Sequence, residues 1–282
     1  MKKYFHLIRV HQWYKNLLVF LALFFSGNIL NLQLLEQTAM AFLSLSLISS
    51  AGYVINDLND AAEDRKHPER KLRPLASGEI GKGMAGLVIA ILLLGGGFFA
   101  LVLGRTFLWI TGGFFALSLV YTFALKKIIF ADVLTIATLF VIRAMSGAIA
   151  IEVIVSPWLI LVPFFLSLYL SAGKRYSELQ LLGEKAGDTK KVLKEYSREI
   201  TTGLMTISTT LLIVSYALYS FLSEHPWLIV TMPFALYTIF RYHYLIMSGS
   251  EVGRNPEKII KDLPILLGIT LWLLMAGLII YY

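Results

Sequence analysis

The chain has 282 residues, of which 57% are apolar and only 15% charged, against the ~25% charge of a typical soluble domain. Its mean hydropathy is +0.71, and its apolar runs each approach the ~20 residues that cross ~30 Å of hydrocarbon, so it belongs in a bilayer. With no cysteine, disulfides and cysteine-based metal or redox sites are excluded, and the net charge of +7 reads as basic loops facing anionic lipid rather than as nucleic-acid binding.

The first thirty residues, MKKYFHLIRVHQWYKNLLVFLALFFSGNIL, have the outline of a signal peptide. Their apolar run is too long and no A-x-A-like cleavage site follows, so an uncleaved first helix behind a short amphipathic segment is expected. Further apolar runs predict an all-α polytopic protein with nine spans, near 15–33, 38–57, 83–103, 106–125, 130–151, 157–174, 200–222, 227–247 and 263–281. Hydrocarbon offers no partners to backbone N–H and C=O groups, which makes these runs helices.

The basic residues orient the spans. Lys2, Lys3, Arg9 and Lys15 precede the first. Arg65, Lys66, Arg70, Lys71, Arg73 and Lys82 follow the second, and Lys126 and Lys127 follow the fourth. Lys174, Arg175, Lys185, Lys190, Lys191, Lys194 and Arg198 follow the sixth, and Arg254, Lys258 and Lys261 follow the eighth. Only Arg105 falls in an opposite-side loop, while Arg143 and Arg241 lie within spans. Nine spans put all five basic segments on one side, which the positive-inside bias makes cytoplasmic. The expectation is a multi-pass protein of the plasma membrane, N-terminus inside and C-terminus outside, forming one domain over 1–282. Its two long cytoplasmic loops, 57–82 and 174–199, are expected to cap the active site. The two loops recur four helices apart, a weak hint of an internal repeat.

Asn56, Asp57, Asp60 and Asp64 carry the strongest chemical signal. Positions 57, 60 and 64 stand at i, i+3 and i+7 and share one face if the helix continues, with Asn56 four residues before Asp60. Like charges on one face call for a compensating cation, and hard oxygen ligands suit Mg²⁺ bridging carboxylates to a diphosphate. Downstream, the dense basic stretch 65–73 supplies charge-assisted donors for such an anion. A solvated helix end beside a lipid-facing anchor is the plainer alternative for each feature taken alone.

Asn56-Asp57-x-x-Asp60-x-x-x-Asp64, followed by Arg70-Lys71-x-Arg73-Pro74-Leu75-x-Ser77-Gly78, resembles the first motif of the UbiA superfamily of intramembrane prenyltransferases. The resemblance implies a nine-helix bundle around a central cavity open to the cytoplasmic side. Typical members carry a second Asp-x-x-x-Asp motif after helix six. Here that stretch reads Ala172-Gly173-Lys174-Arg175-Tyr176-x-Glu178-Leu179, and Asp188 lies ten residues beyond Glu178. With Arg9-x-x-Gln12-Trp13-x-Lys15-Asn16, Arg241-Tyr242-x-Tyr244, Pro256-Glu257 and Asp262, it looks like the decaprenyl-phosphate phosphoribosyltransferase branch. That branch implies transfer of 5-phosphoribose from phosphoribosyl diphosphate to a polyprenyl phosphate, with release of pyrophosphate.

On that reading, Asp57, Asp60 and Asp64 hold Mg²⁺ and join Lys174 and Arg175 as the catalytic set. Lys15, Asn56, Arg70, Lys71, Arg73, Tyr176, Glu178, Arg241 and Tyr244 bind substrate. Replacing carboxylates by Lys174 and Arg175 suits a donor and an acceptor that are both phosphorylated. Glu178 stands i+4 from Lys174 and i+3 from Arg175, placed to orient either, or else to form a surface pair worth ~0.2–1 kcal/mol. The acceptor oxygen is already anionic and needs no base, and a single displacement at ribose C1 inverts its configuration.

Arg143, inside a span where a central Arg costs ~2.5–3.5 kcal/mol, calls for a partner on another helix or a lipid-substrate contact. Asp132 shares its helical face but lies about 16 Å away by helical rise, too far to pair. Arg241 either snorkels or meets a phosphate, and Lys15 and Trp13 serve either the site or the membrane interface. No His-x-x-x-His pair suggests zinc, and the span glycines suit close helix packing. Two rivals stand beside the leading reading: UbiA-type prenyl transfer to a small acceptor, and a non-catalytic lipid-binding or transport protein. Charge gathered at one membrane edge disfavours the latter, because transporter sites usually lie near the midplane. A homo-oligomer is left open.

Overall fold

A computed structural model of the chain describes residues 2–65, 70–183 and 191–282. Among them every regular element is helical. The order is α1 (Lys2–Leu7), a 3-10 helix (Val10–Val19), α2 (Phe20–Phe25), α3 (Leu32–Asp64), a 3-10 turn (Arg70–Leu72), α4 (Lys82–Val102) and α5 (Arg105–Phe123). Then come a 3-10 turn (Leu125–Lys127), α6 (Ala131–Ala150), α7 (Pro157–Leu182), a 3-10 turn (Lys191–Lys194) and α8 (Arg198–Leu222). A 3-10 helix (Pro226–Thr231), α9 (Met232–Met247), α10 (Glu251–Arg254), a 3-10 helix (Pro256–Lys261) and α11 (Leu263–Tyr281) complete it. Lys66, His67, Glu69, Lys185, Asp188 and Lys190, singled out in the sequence, lie outside the described residues.

Among the described residues, α3, α4, α5, α6, α7, α8 and α11 are each long and apolar enough to cross a membrane. Four of them begin on a capping side chain: Asn31, Ser156, Ser197 and Asp262 accept from the N–H of Leu34, Leu159, Ile200 and Ile265. The stretches expected at 15–33 and 227–247 are built differently. The first is the 3-10 helix Val10–Val19 running into α2. A 3-10 helix rises ~2.0 Å per residue and an α-helix ~1.5 Å, so these sixteen residues reach ~29 Å, nearly the hydrocarbon thickness. Side chains hold the tighter winding: Trp13 Nε1 donates to Ser50 Oγ at 3.0 Å, and Asn16 Nδ2 to Ser46 Oγ at 3.0 Å. The other stretch starts as the 3-10 helix Pro226–Thr231 and turns α-helical at Met232, with Pro233 in the first turn of α9, where its missing N–H costs nothing.

The chain divides into two compact units, residues 1–126 with 142–155, and residues 127–141 with 156–282. The first is cored by Leu7, Ala51, Val54, Leu75, Ile80, Ala85 and Leu92. Its helices approach closely at glycine. A Cβ on Gly96 would lie 2.6 Å from Ile48, and one on Gly147 only 1.9 Å from the Val19 carbonyl oxygen. This small-residue packing is how helices associate where lipid removes the hydrophobic drive. It also settles Arg143, which is buried, donates from Nε to Asn16 Oδ1 at 2.7 Å and stacks on Phe114 at 4.6 Å. Of its two expected roles the structure shows the partner on another segment. The second unit packs around Tyr169, Ala172, Tyr176, Met205, Tyr242, Leu245, Ile246 and Ile265. An almost wholly apolar cavity of about 350 Å³, lined among others by Tyr169, Tyr216, Ala235 and Trp272, adjoins that core.

Candidate active site

At 33 residues, α3 is ~50 Å long, well beyond the hydrocarbon thickness. Its last two turns therefore carry Asn56, Asp57, Asp60 and Asp64 on a regular helix, as the spacing required. The loop behind it then folds back. Leu75, Ala76 and Ile80 are buried in the first unit's core, Arg65 Nε donates to the Ala76 carbonyl at 3.1 Å, and Gly78 takes the positive φ of 82° that the reversal needs. This returns Arg70 and Arg73 over the acids.

Arg73 Nη1 lies 3.1 Å from Asp57 Oδ1 and 2.6 Å from Asp64 Oδ2 and ties the two carboxylates together. Arg9, stacked at 5.3 Å on Tyr53, donates to Asp57 Oδ1 at 2.5 Å, and Arg70 stands 3.7 Å from Asp64. Asp60 binds Lys126 Nζ through both oxygens at 2.6 and 2.8 Å, and the same ammonium donates to Asn56 Oδ1 at 3.1 Å. The predicted kinship of Asn56 and Asp60 is thus realised through a shared lysine. Asp57 and Asp64 are 2% and 1% exposed. Burial, and next the charge of Arg9, pull the Arg73 guanidinium below its ordinary pKa, against the raising pull of Asp57 and Asp64.

Arg9, Arg70, Arg73 and Lys126 thus pair with the three acids on which a cation was expected, and among the described residues no group of three His, Asp or Glu side chains forms a ready metal cage. One feature still suits a hard cation. Asp64 Oδ1 is buried and accepts no hydrogen bond among the described residues, an exception to the rule that buried polar atoms are satisfied. Lys71 is exposed and enters no ion pair among the described residues, and Lys15 lies 6.0 Å from the Tyr14 ring, as an interfacial anchor would.

In the second unit the buried Arg175 is fixed on both sides. Its Nε and Nη2 lie 3.0 and 2.9 Å from Asp132 Oδ2, and its Nη1 donates to Glu178 Oε2 at 2.9 Å. Asp132, fully buried, accepts from Tyr196 at 2.7 Å on its other oxygen, and Tyr196 accepts from the Phe130 N–H at 3.1 Å. Burial first, then the bond to Asp132, push the Tyr196 hydroxyl up. Arg175, expected among the catalytic groups, is therefore a tethered arginine, because Asp132 takes up its fork. Glu178 orients Arg175, one of the two bases offered to it. Tyr176, expected on substrate, is a core residue. Lys174 is half-buried on the same helix. The Arg241 guanidinium makes a two-point pair with Asp262, the cap of α11, at 3.3 and 2.9 Å, and lies over the exposed Tyr244 ring at 5.4 Å.

Residues 16–258 match the model of the UbiA prenyltransferase family. The chain belongs to that family. Among relatives, a decaprenyl-phosphate phosphoribosyltransferase of Corynebacterium glutamicum is 32% identical over 263 residues, covering 89% of this chain and 78% of that protein. One from Mycolicibacterium smegmatis is 31% identical over 293 residues, covering 98% and 91%. In fold, a UbiA homolog from Archaeoglobus fulgidus bound to GPP and Mg²⁺ superposes with a TM-score of 0.75 at 21% identity, covering 99% of both chains.

Two partners of the UbiA-type acid patch were not singled out as site residues from the sequence. Arg9 stood only in a motif and Lys126 only among orientation charges. Asp132 and Tyr196, the anchors of Arg175, were not linked to it. Asp132 alone carried a usable signal, as the only acid among the apolar residues of its span, which obliges it to find a cation.

Proposed function

We propose that the chain is a membrane phosphoribosyltransferase that moves 5-phosphoribose from phosphoribosyl diphosphate to a polyprenyl phosphate of decaprenyl type, releasing pyrophosphate. The observation that carries this reading is the identity of about 30% over nearly the whole chain to relatives named for that activity. The basic pair Lys174–Arg175, where typical family members have a second acid pair, supports it, because the donor and the acceptor are both anionic. The family match runs through both compact units, which supports a single domain over 1–282. The plasma membrane, with the N-terminus inside and the C-terminus outside, follows from the basic loops.

Mg²⁺ is proposed as the cofactor, with Asp57, Asp60 and Asp64 as its ligands. The donor set is hard oxygen, and the buried Asp64 Oδ1 accepts no hydrogen bond among the described residues, its nearest cation being Arg70 Nη1 at 3.7 Å. When bound, the ion offsets charge that grows on departing pyrophosphate. The chain's own groups do the rest. Arg9, Arg70, Arg73 and Lys126 reach the diphosphate as charge-assisted donors, Asn56 steadies Lys126, and Lys174 meets a substrate phosphate with Glu178 holding Arg175 alongside. The burial of Asp57 and Asp64 excludes competing water.

The test incubates the detergent-solubilised chain with ribose-labelled phosphoribosyl diphosphate and a polyprenyl phosphate, with and without Mg²⁺. Mg²⁺-dependent labelled lipid is expected. Prenylated product from a prenyl diphosphate, without ribose-labelled lipid, would instead establish the prenyltransferase reading.

A further inference from the structure

Resting on that reading for its diphosphate substrate, we infer that the acid patch takes its divalent cation together with the diphosphate and not ahead of it. Arg9 and Lys126 are the positioning residues that keep the patch closed to a bare ion. The charges on the page decide the matter. Asp57, Asp60 and Asp64 are already met by Arg9, Arg73 and Lys126 at 2.5 to 3.1 Å, with Arg70 at 3.7 Å as a fourth cation. A divalent ion entering alone joins a cluster with no negative surplus. It must displace guanidinium and ammonium groups that pair with no other acid among the described residues, and it stays within a few ångströms of them. In a buried setting such like charges repel strongly.

A diphosphate changes the sign of the exchange. Its oxygens accept Arg9, Arg73 and Lys126 as these leave the acids, and the freed carboxylates face the cation it carries. Every charge is re-paired and none is stranded. The side chains are suited to this transfer, since Arg9, Arg73 and Lys126 are 19%, 28% and 16% exposed while the acids beneath Arg9 and Arg73 are 3% or less. The acids stay and the bases can swing. Arg9 is further marked by a left-handed backbone, φ 51° and ψ 50°, between α1 and the following 3-10 helix. Such a conformation is costly for a side-chain-bearing residue and is held by its contacts. Asp64 Oδ1 fits the same picture, as a buried acceptor with no hydrogen bond among the described residues and only the Arg70 guanidinium near it, at 3.7 Å.

The test uses Mn²⁺ and inorganic pyrophosphate on the full detergent-solubilised chain, read by water-proton relaxation enhancement. That signal reports metal on the slowly tumbling protein, not on small anions in solution. Pyrophosphate is expected to tighten Mn²⁺ binding by about tenfold or more, and Mn²⁺ to tighten pyrophosphate by the same factor, as linkage requires. Arg9→Gln and, independently, Lys126→Gln are expected to tighten Mn²⁺ binding without pyrophosphate and to shrink the coupling. Equal Mn²⁺ affinity with and without pyrophosphate overturns the inference, as does an unchanged metal-only affinity in whichever of the two variants folds. Pyrophosphate is common to phosphoribosyl and prenyl donors. Coupling without ribose transfer therefore counts against the proposed reaction alone, and ribose transfer without coupling counts against this inference alone.

Discussion

The two charged clusters use the same residue types to opposite ends. At the end of α3, two buried carboxylates and a third partly exposed one are covered by bases whose heads keep contact with water. Around Arg175 the base itself is buried, with 7% of its side chain exposed against 0% for Asp132, and the tyrosine on the far oxygen closes the acid off. A base with one face in water can leave for another anion at little desolvation cost, and a base sealed between two acids cannot. The first cluster is built to exchange partners and the second to hold still.

The largest expected effect breaks the second cluster. Asp132→Ala leaves the buried Arg175 charge with Glu178 alone and Tyr196 without its acceptor. Removing one partner of a buried pair costs about 3–5 kcal/mol, so thermal or denaturant unfolding in detergent should show a loss of that order. A variant as stable as the wild type would mean that Arg175 is free to move like the bases over the α3 acids.

Asp60→Asn probes the exchanging cluster. Lys126 keeps an amide acceptor and lies partly in water, so stability should barely change. Ribose transfer should fall about 10²–10³-fold, the scale of removing one preorganised electrostatic group. Measured together, kcat and unfolding separate the clusters. A large stability loss with intact turnover would reverse the roles assigned to them.

How legible each cluster was in the sequence follows from the range of its contacts. The helix placing Asp57, Asp60 and Asp64 on one face is a local feature of the chain, and spacing alone gives it. Arg9 meets Asp57 across 48 residues and Lys126 meets Asp60 across 66. No periodicity encodes those meetings, so both cations were read only as parts of a motif and of a charge bias. The 3-10 winding of Val10–Val19 was hidden for the same reason. Its causes are Ser46, Ser50 and the bare backbone of Gly147, all distant in sequence, while its apolar composition is that of any span. Arg143 was readable halfway, since an intramembrane arginine demands a partner, but the demand does not say that Asn16 answers it.

The smallest expected effect comes from the pair Arg241–Asp262, which lies between the two extremes. It is two-pointed like the Arg175 pair but open to water like the bases over the α3 acids. The hydrogen bond from Arg241, and the Ile265 N–H at the start of α11, hold the Asp262 carboxyl below its ordinary value of 3.8. A carboxyl so depressed contributes stability that is fully present above that ordinary value and is lost as pH falls through the lower, folded-state value. Acid unfolding of the wild type should therefore lose this contribution only below about pH 4. Asp262→Asn should lower stability slightly near neutrality and flatten that part of the acid limb, with no change in ribose transfer. A drop in turnover, with the acid limb unchanged, would show that Arg241 leaves Asp262 during the reaction and would move the pair into the exchanging class.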